Sequence, residues 1–453
     1  MAATPLVHAL ASLLGAEHVV RDVPVAALRD ATEFQGLSGE ADALVRPGSA
    51  EEVAAVLAWC YEHDVAITPR GGGTGYAGGA VPRGGIVLSL DRLTRVRALD
   101  PLQWRMHVEA GLTTAHVQRL ARENGLLFPP DPGAAESSHI GGNIATNAGG
   151  PHAFKYGVTR RWVTGLEVAI APGELITVGG PVRKDAAGYD LVGLLSGSEG
   201  TLGILTAAWV ALLPRPATSR TVLALYPSLA SGCDALERVL GAGLRPAALE
   251  YFDGGALEAT RESLPGGRPE GVAFAILAEA DGEEGEVRAL ATELLEALGP
   301  TALRAEGVEA DALWRWRAGA SSAVATHRGG KVSEDIAVPV ERLAEAIAET
   351  VEIGARHGLP ACSWGHAGDG NLHSTLLVDR GDPAELHRAE RAAHELLELA
   401  LRLGGTISGE HGVGMLKRSH LPAQLGVAGH ALQRRIKVAW DPKGLLNPGK
   451  KLA

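Results

Sequence analysis

The chain has 453 residues, 46% of them hydrophobic, with a formal net charge of −11. That length suits about two to three domains with large apolar cores, and the acidic balance without a long basic tract argues against nucleic acid or an anionic membrane as a general partner. The opening MAATPLVHALASLLGAEHVV lacks a basic start and no transmembrane segment is apparent, so a soluble cytoplasmic protein is expected.

Residues 1–40 read as an N-terminal helical segment. Ser49 and Glu52 then form a capping box ahead of the apolar face Val53, Val56, Leu57 and Cys60, which predicts a helix, and a strand follows at Val65–Thr68. The chain next breaks into PRGGGTGYAGG, Pro69 to Gly79, with six glycines in eleven residues. Glycines let successive N–H groups turn inward on one concavity suited to phosphate oxygens. A dinucleotide fingerprint needs a helix opening directly from such a loop, whereas here GGAVPRG leads to another strand-like run, Ile86–Leu90. That argues against a Rossmann domain and leaves a phosphate cradle or a tight turn between strands.

A helix at Thr114–Asn124 ends at Gly125, before a strand at Leu126–Phe128. From Phe128 to Tyr156 the chain reads FPPDPGAAESSHIGGNIATNAGGPHAFKY, where prolines fix an extended lead-in and small residues leave backbone open to something flat. KDAAGYDLVGLLSGSEGTLGI, Lys184 to Ile204, again interrupts apolar residues with small ones. LLPRPATS, Leu212 to Ser219, marks the way out of this domain.

Beyond it, strands at Val222–Tyr226, Val272–Ala278, Val332–Val338 and Leu359–Gly365 mix with helices at Leu229–Leu240, Glu283–Leu298, Asp311–Thr326 and Val340–His357. The pattern predicts an antiparallel sheet with helices on one face. LPACSWGHAGDGNLHSTLLV, Leu359 to Val378, reads as a hairpin whose GDGN turn brings His366 and His373 close. ISGEHGVG, Ile407 to Gly414, adds Glu410 and His411. Two imidazoles and a carboxylate with an open position suit a catalytic zinc or similar ion, against coincidence in a chain of sixteen histidines. Cys60, Cys233 and Cys362 are too few and too scattered for an iron–sulfur cluster.

IGGNIATNAGGPHAFKYG, KDAAGYDL and GSEGTLGI occur in that order, and GHAGDGNLH is followed by GEHGVG. In these motifs the chain resembles the flavin-dependent oxidases and dehydrogenases of the vanillyl-alcohol oxidase type, in their D-lactate dehydrogenase and glycolate oxidase large-subunit branch. The resemblance implies an α+β fold: a p-cresol-methylhydroxylase-type (PCMH-type) FAD-binding domain at 41–215 and an antiparallel-sheet cap, the FAD-linked oxidase C-terminal domain, at 216–404. A C-terminal segment, 405–453, returns to the flavin. The ring would then lie against an imidazole-and-acid cluster from the second half.

The resemblance also assigns residues. Pro69, Arg70, Gly71, Gly72, Gly73, Thr74 and Gly75 surround the FAD diphosphate, and Ile140, Gly141, Gly142, Asn143 and Asn147 line the isoalloxazine. Pro132 and Gly150 join the cofactor site, Glu199, Gly203 and Ile204 contact the adenine side, and Asn447 lies near the ring. No histidine stands within Gly71–Gly75 to tether the flavin, so the FAD is expected to be non-covalent. His366, His373 and Glu410 hold a divalent metal, zinc or manganese; His411 is the general base; Arg317 binds the substrate carboxylate with help from Lys331. Related 2-hydroxyglutarate enzymes carry their lysine nearer the Asp, where this chain has Ser333 and Glu334, which weakens the expectation of a second, distal carboxylate pocket.

The implied reaction oxidises a small D-2-hydroxy acid, glycolate or D-lactate, to the 2-oxo acid. The substrate chelates the metal, His411 removes the hydroxyl proton, and the α-hydrogen leaves as hydride to the flavin. An imidazole titrating near ~6.5 cannot ionise an alcohol unaided, but a metal that lowers the pKa of bound water to about 7 acts likewise on a bound hydroxyl. An external electron acceptor or partner subunit is implied, and a homo-oligomer is compatible. The alternatives are a non-redox flavin-dependent synthase of the same fold, for which no clear basic cluster is seen, and a non-catalytic FAD-binding subunit of a complex. His152 reads as a ring contact or a structural histidine, Tyr189 and Asp190 as loop-holding residues, and Asp369 as the shaper of its turn.

Overall fold

A computed structural model describes residues 3–32 and 37–452. Residues 1–2 and 33–36 of the expected N-terminal segment lie outside the described residues. The chain divides into two compact units, the first made of Met1–Gly149, Val158–Arg215 and Glu410–Ala453, the second of Gly150–Gly157 and Pro216–Gly409.

In the first unit a helix, Ala3–Leu14, buries Leu6, Leu10 and Leu14 on one face. The strands β1 (Val19–Val20), β2 (Ala43–Val45), β3 (Ile67–Arg70) and β4 (Ile86–Ser89) form a sheet in the order β1-β2-β4-β3, with β2 and β3 parallel to β4. The helix Ala50–Glu62 carries the chain from β2 across to β3 on the far side of β4. Its Ser49 hydroxyl accepts from the Glu52 N–H at 3.2 Å, while the Glu52 carboxylate accepts from Gly48 at 2.6 Å, one residue earlier than the capping box requires. The remaining strands are β5 (Val96–Asp100), β6 (Arg105–Glu109), β7 (Leu126–Leu127), β8 (Val163–Ile170), β9 (Glu174–Gly179), β10 (Ile204–Ala211) and β11 (Leu213–Pro214). Five of them form an antiparallel sheet, β5-β6-β10-β8-β9, and β7 pairs with β11. The small-residue stretch that follows the proline lead-in contains a short helix, Ile140–Thr146, closed by Asn147 at φ 56°.

The second unit is built on a seven-stranded antiparallel sheet of β12 (Thr218–Tyr226), β13 (Ala248–Asp253), β14 (Phe274–Gly282), β15 (Ala302–Ala305), β16 (Gly330–Ala337), β17 (Ala361–His366) and β18 (Asn371–Val378). Their order is β15-β12-β14-β13-β17-β18-β16. The expected hairpin is β17 and β18; β13 and β15 were not anticipated. Helices cover both faces, which corrects the one-face expectation. Helices Gly254–Ala259 and Val308–His327 pack with Phe252 and Trp364. The opposite row of Tyr226, Phe274 and Ser374 meets the helices Glu284–Leu298, Leu229–Gly241 and Leu343–Arg356. All six residues of β13 and all eight of β18 are buried, so neither face is left to water.

Segment Gly150–Gly157 belongs to this second unit. Lys155 pairs with Asp281, the Tyr156 hydroxyl donates to Asp281 at 2.6 Å, and His152 lies 3.2 Å from Glu279. His152 is thus held by a carboxylate of β14. No helix among the described residues is long and apolar enough to cross a membrane.

Candidate functional site

In the first unit the chain leaves β3 and passes through Gly71–Gly75 toward β4 with no intervening helix. The main-chain N–H groups of Gly71, Gly72, Gly73, Thr74 and Gly75 meet no acceptor among the described residues. Gly73 has φ 69°, and a Cβ at Gly72 would fall on the Ser137 carbonyl oxygen, so the loop lies hard against residues 137–138. Gly142 faces open space, with no atom within 4 Å of where its Cβ would stand. Around the loop Thr68 Oγ1, His139 Nδ1 and Asn447 Oδ1 are buried with no hydrogen-bond partner among the described residues. Burial holds the His139 imidazole below its ordinary pKa, so the ring stays neutral. A run of unused donors beside an open flank, ringed by unmatched polar atoms, fits a diphosphate-bearing flavin cofactor.

Several residues expected on the cofactor also make contacts within the protein. The Arg70 guanidinium donates to the carbonyls of Arg29 and Ala26, 2.7 Å each, and supports the loop from below Gly73. Glu199 is buried; its carboxylate accepts from the N–H groups of Val413 (2.9 Å) and Gly414 (2.7 Å). Asn447 Nδ2 donates to the carbonyls of Gly79 (3.0 Å) and Glu199 (2.7 Å), latching the C-terminal segment to the glycine loop. Gly203 is pressed against Val168, Ile204 lies in the core, Asn143 donates to Thr114, and Asn147 accepts from the Arg160 N–H. Pro69 packs near Gly200, Thr74 and Pro132 are half-buried, Ile140 and Gly141 are buried at the start of their helix, and Gly150 falls in the second unit.

Glu410 and His411 also belong to the first unit. A Cβ at Gly149 would run into the Glu410 carboxylate, so that glycine is what lets the acid lie there. His411 Nε2 is 3.8 Å from Glu410 Oε1, and its ring packs on Tyr76 of the glycine loop. Met415 N–H donates to the Ala77 carbonyl at 2.8 Å, so GEHGVG is docked on the loop backbone.

The second unit contributes one face of its sheet. The register aligns Glu250 with His366 and Asn371, and Phe252 with Trp364, His373 and Asp335. Glu250 is fully buried: Oε1 accepts from His366 Nδ1 at 2.7 Å, and Oε2 pairs with Arg317 Nε from the helix Val308–His327. Burial alone would push this carboxyl up, but the Arg317 charge and the His366 ring outweigh it and hold it below the ordinary carboxylate value. A carboxylate only accepts, so Nδ1 of His366 carries a proton and Nε2 is the ring nitrogen on the side away from Glu250. The His366 and His373 rings meet edge to face with centroids 5.5 Å apart, two nitrogen donors of the kind a divalent ion takes. Asp335 accepts from Asn371 (2.7 Å) and from the Ser408 hydroxyl (3.0 Å). Gly409 abuts the Asn371 amide, and Glu410 follows one peptide bond later. Lys331 is buried on the same face, 3.2 Å from Ser333 Oγ and 5.2 Å above the Trp364 ring. Asp369 is exposed in the hairpin turn.

The second unit thus gathers His366, His373, Arg317 and Lys331, and the first holds the glycine loop with Glu410 and His411. Sequence reasoning missed Glu250, Asp335 and His139. The available signal for Glu250 was an isolated acid inside the apolar run ALEYF. All three cysteines are buried; burial pushes the thiols of Cys60 and Cys233 up to about 12 and raises that of Cys362 well above its ordinary value.

Residues 41–179 match the family described as FAD binding domain, and residues 215–451 that described as FAD linked oxidases, C-terminal domain. The chain is 39% identical over 420 residues to the glycolate oxidase subunit GlcD of Bacillus subtilis, covering 91% of this chain and 89% of that protein. It is 38% identical over 414 residues to a D-lactate dehydrogenase of Archaeoglobus fulgidus, covering 90% of each, and 38% identical over 427 residues to a D-2-hydroxyglutarate dehydrogenase of Xanthomonas citri pv. viticola, covering 90% and 88%. Among solved structures, substrate-bound p-cresol methylhydroxylase aligns with a TM-score of 0.81 at 19% identity over 99% of this chain and 96% of that one. Alkyldihydroxyacetonephosphate synthase aligns with a TM-score of 0.76 at 18% identity over 98% and 84%. At such identities these two likenesses concern the fold alone, and they agree with the α+β, PCMH-type expectation.

Proposed function

This chain belongs to the FAD-linked oxidases, and on that premise we propose that it oxidises a small 2-hydroxy acid of the glycolate or D-lactate class to the 2-oxo acid. The observation that carries this reading is the group around Glu250, where one buried carboxylate holds a guanidinium beside an imidazole. A guanidinium grips a carboxylate through two parallel N–H bonds, so Arg317 anchors the anionic end of the acid and Lys331 adds a second positive charge on the same sheet face.

The glycine loop would hold FAD non-covalently, and the flavin would supply a two-electron acceptor. His366, His373 and Glu410 are the residues that would hold a zinc or manganese ion, which would supply Lewis-acid polarisation of the substrate hydroxyl. His411 takes the hydroxyl proton; its ring is restrained by Tyr76, and a positioned base contributes about 10² to 10⁴ in rate. The glycine loop holds its pocket open by lacking side chains, and Asn447 keeps the C-terminal segment on it. With three separate buried thiols, the chain offers no cluster to relay electrons, so they pass to an external acceptor or a partner subunit. The name of the Bacillus subtilis relative, a subunit, supports the latter.

Anaerobic mixing with glycolate, D-lactate, L-lactate and D-2-hydroxyglutarate, followed by metal analysis, tests the reading. Glycolate or D-lactate is expected to bleach the flavin. A flavin that stays oxidised with all four acids overturns the proposal and favours the non-redox or non-catalytic alternatives.

A further inference from the structure

We propose that Glu250 is a positioning residue that sets metal affinity and substrate anchoring at once, because its one carboxylate holds both the His366 imidazole and the Arg317 guanidinium. The inference rests on reading His366 as a metal ligand and Arg317 as the carboxylate anchor. The three residues come from β13, β17 and the helix Val308–His327, so no local sequence constraint brings them together. Glu250 is 0% exposed in the centre of the sheet, a place where an acid without partners is strongly disfavoured.

Each contact has its own consequence. The 2.7 Å bond to Nδ1 fixes the plane and tautomer of the His366 ring and raises the basicity of its other nitrogen, the one available to a metal. The pairing at Arg317 Nε leaves the Nη1–Nη2 edge of the fork for a substrate carboxylate. Charge adds a third effect. Arg317 Nη2 lies only 3.5 Å from His366 Nδ1, a positive charge beside a ring that would bind a cation. Glu250 cancels that repulsion.

Removing either partner of the pair should therefore move metal affinity in opposite directions. In Glu250→Gln the Arg317 charge is uncompensated and the ring loses its carboxylate; in Arg317→Met the carboxylate keeps the ring and the repulsion is gone. A scaffold role alone would weaken both variants alike.

The test is titration of the purified FAD-loaded enzyme with Mn²⁺, the unbound ion followed by electron paramagnetic resonance, with Co²⁺ as a spectroscopic probe. His366→Ala is expected to abolish binding. Glu250→Gln is expected to weaken it about 10- to 100-fold and to alter the Co²⁺ visible band. Arg317→Met should bind Mn²⁺ at least as tightly as the parent while its KM for glycolate rises more than its kcat falls. Parental Mn²⁺ affinity and Co²⁺ spectrum in a folded Glu250→Gln variant overturn the inference and leave the metal reading intact. If that variant does not fold, Glu250→Gln/Arg317→Met is compared with Arg317→Met, and equal affinities overturn the inference. A parent enzyme that binds no Mn²⁺ overturns the metal reading and this inference with it.

Discussion

The imidazole of His411 packs on the ring of Tyr76 with centroids 4.7 Å apart and planes inclined by 32°. A residue from the last tenth of the chain is thereby fixed on the glycine loop near its start. His411→Ala is expected to slow anaerobic flavin reduction by glycolate or D-lactate about 10²- to 10⁴-fold without lowering FAD content. Stopped-flow absorbance measures this directly, and reduction at the parental rate removes His411 from the reaction.

Gly142→Ala separates the fold from the cofactor. Its Cβ would meet no protein atom, and alanine suits a helix better than glycine by about 0.5 to 1 kcal/mol, so the flavin-stripped protein should melt no lower than the parent. FAD binding, followed by quenching of flavin fluorescence, should weaken because the methyl enters the space the cofactor needs. Unchanged FAD affinity would place the cofactor elsewhere. Acid precipitation of the parent should leave a colourless pellet, as no histidine in Gly71–Gly75 can hold the flavin covalently.

Metal removal gives a third expectation. Dialysis against a strong chelator should abolish turnover of glycolate or D-lactate while the flavin remains bound, and added zinc or manganese should restore it. His373→Ala and Glu410→Gln should behave as the stripped enzyme does and resist rescue. Full activity after chelation, verified by elemental analysis, would exclude a metal-assisted reaction.

Asp253 sets a pH dependence of stability. It caps the helix Gly254–Ala259 through the Ala256 N–H (2.7 Å) and accepts from Ser363 N–H (2.7 Å), yet burial outweighs these bonds and pushes its carboxyl up to about 7. An unfolded aspartate titrates near ~3.9, so the folded state holds this proton more tightly. The stabilisation is complete below about 4, declines as the pH rises, and is gone above about 7. Urea midpoints should therefore fall more steeply from about pH 4 to 7 in the parent than in Asp253→Asn. Parallel profiles would mean that Asp253 is ionised throughout.

The elements that announce themselves locally were legible. Ser49 before an apolar helical face, Gly125 at a helix end and a GDGN turn between two apolar runs each specify their geometry within a few residues, and all three are seen. The strand β13 was not legible because Glu250 and Asp253 interrupt its apolar character, and their partners stand 67 and 110 residues away. With that strand unseen, the residue that joins His366 to Arg317 was unseen too. Glu199 and Asn447 are expected at the cofactor, and their side chains also clasp segments more than 200 residues apart in sequence, which no local pattern announces. Pattern alone cannot tell a polar group facing a ligand from one closing a distant loop.

The polypeptide passes from one compact unit to the other at four places, after Gly149, Gly157, Arg215 and Gly409. Neither unit is therefore an excisable stretch of sequence. A protease that nicks the chain at any one of these passages leaves three covalent threads, so the fragments should still migrate together until denatured. An attempt to express either unit alone would have to splice separate segments, and synthesis from the N-terminus cannot finish the first unit until the second has been made.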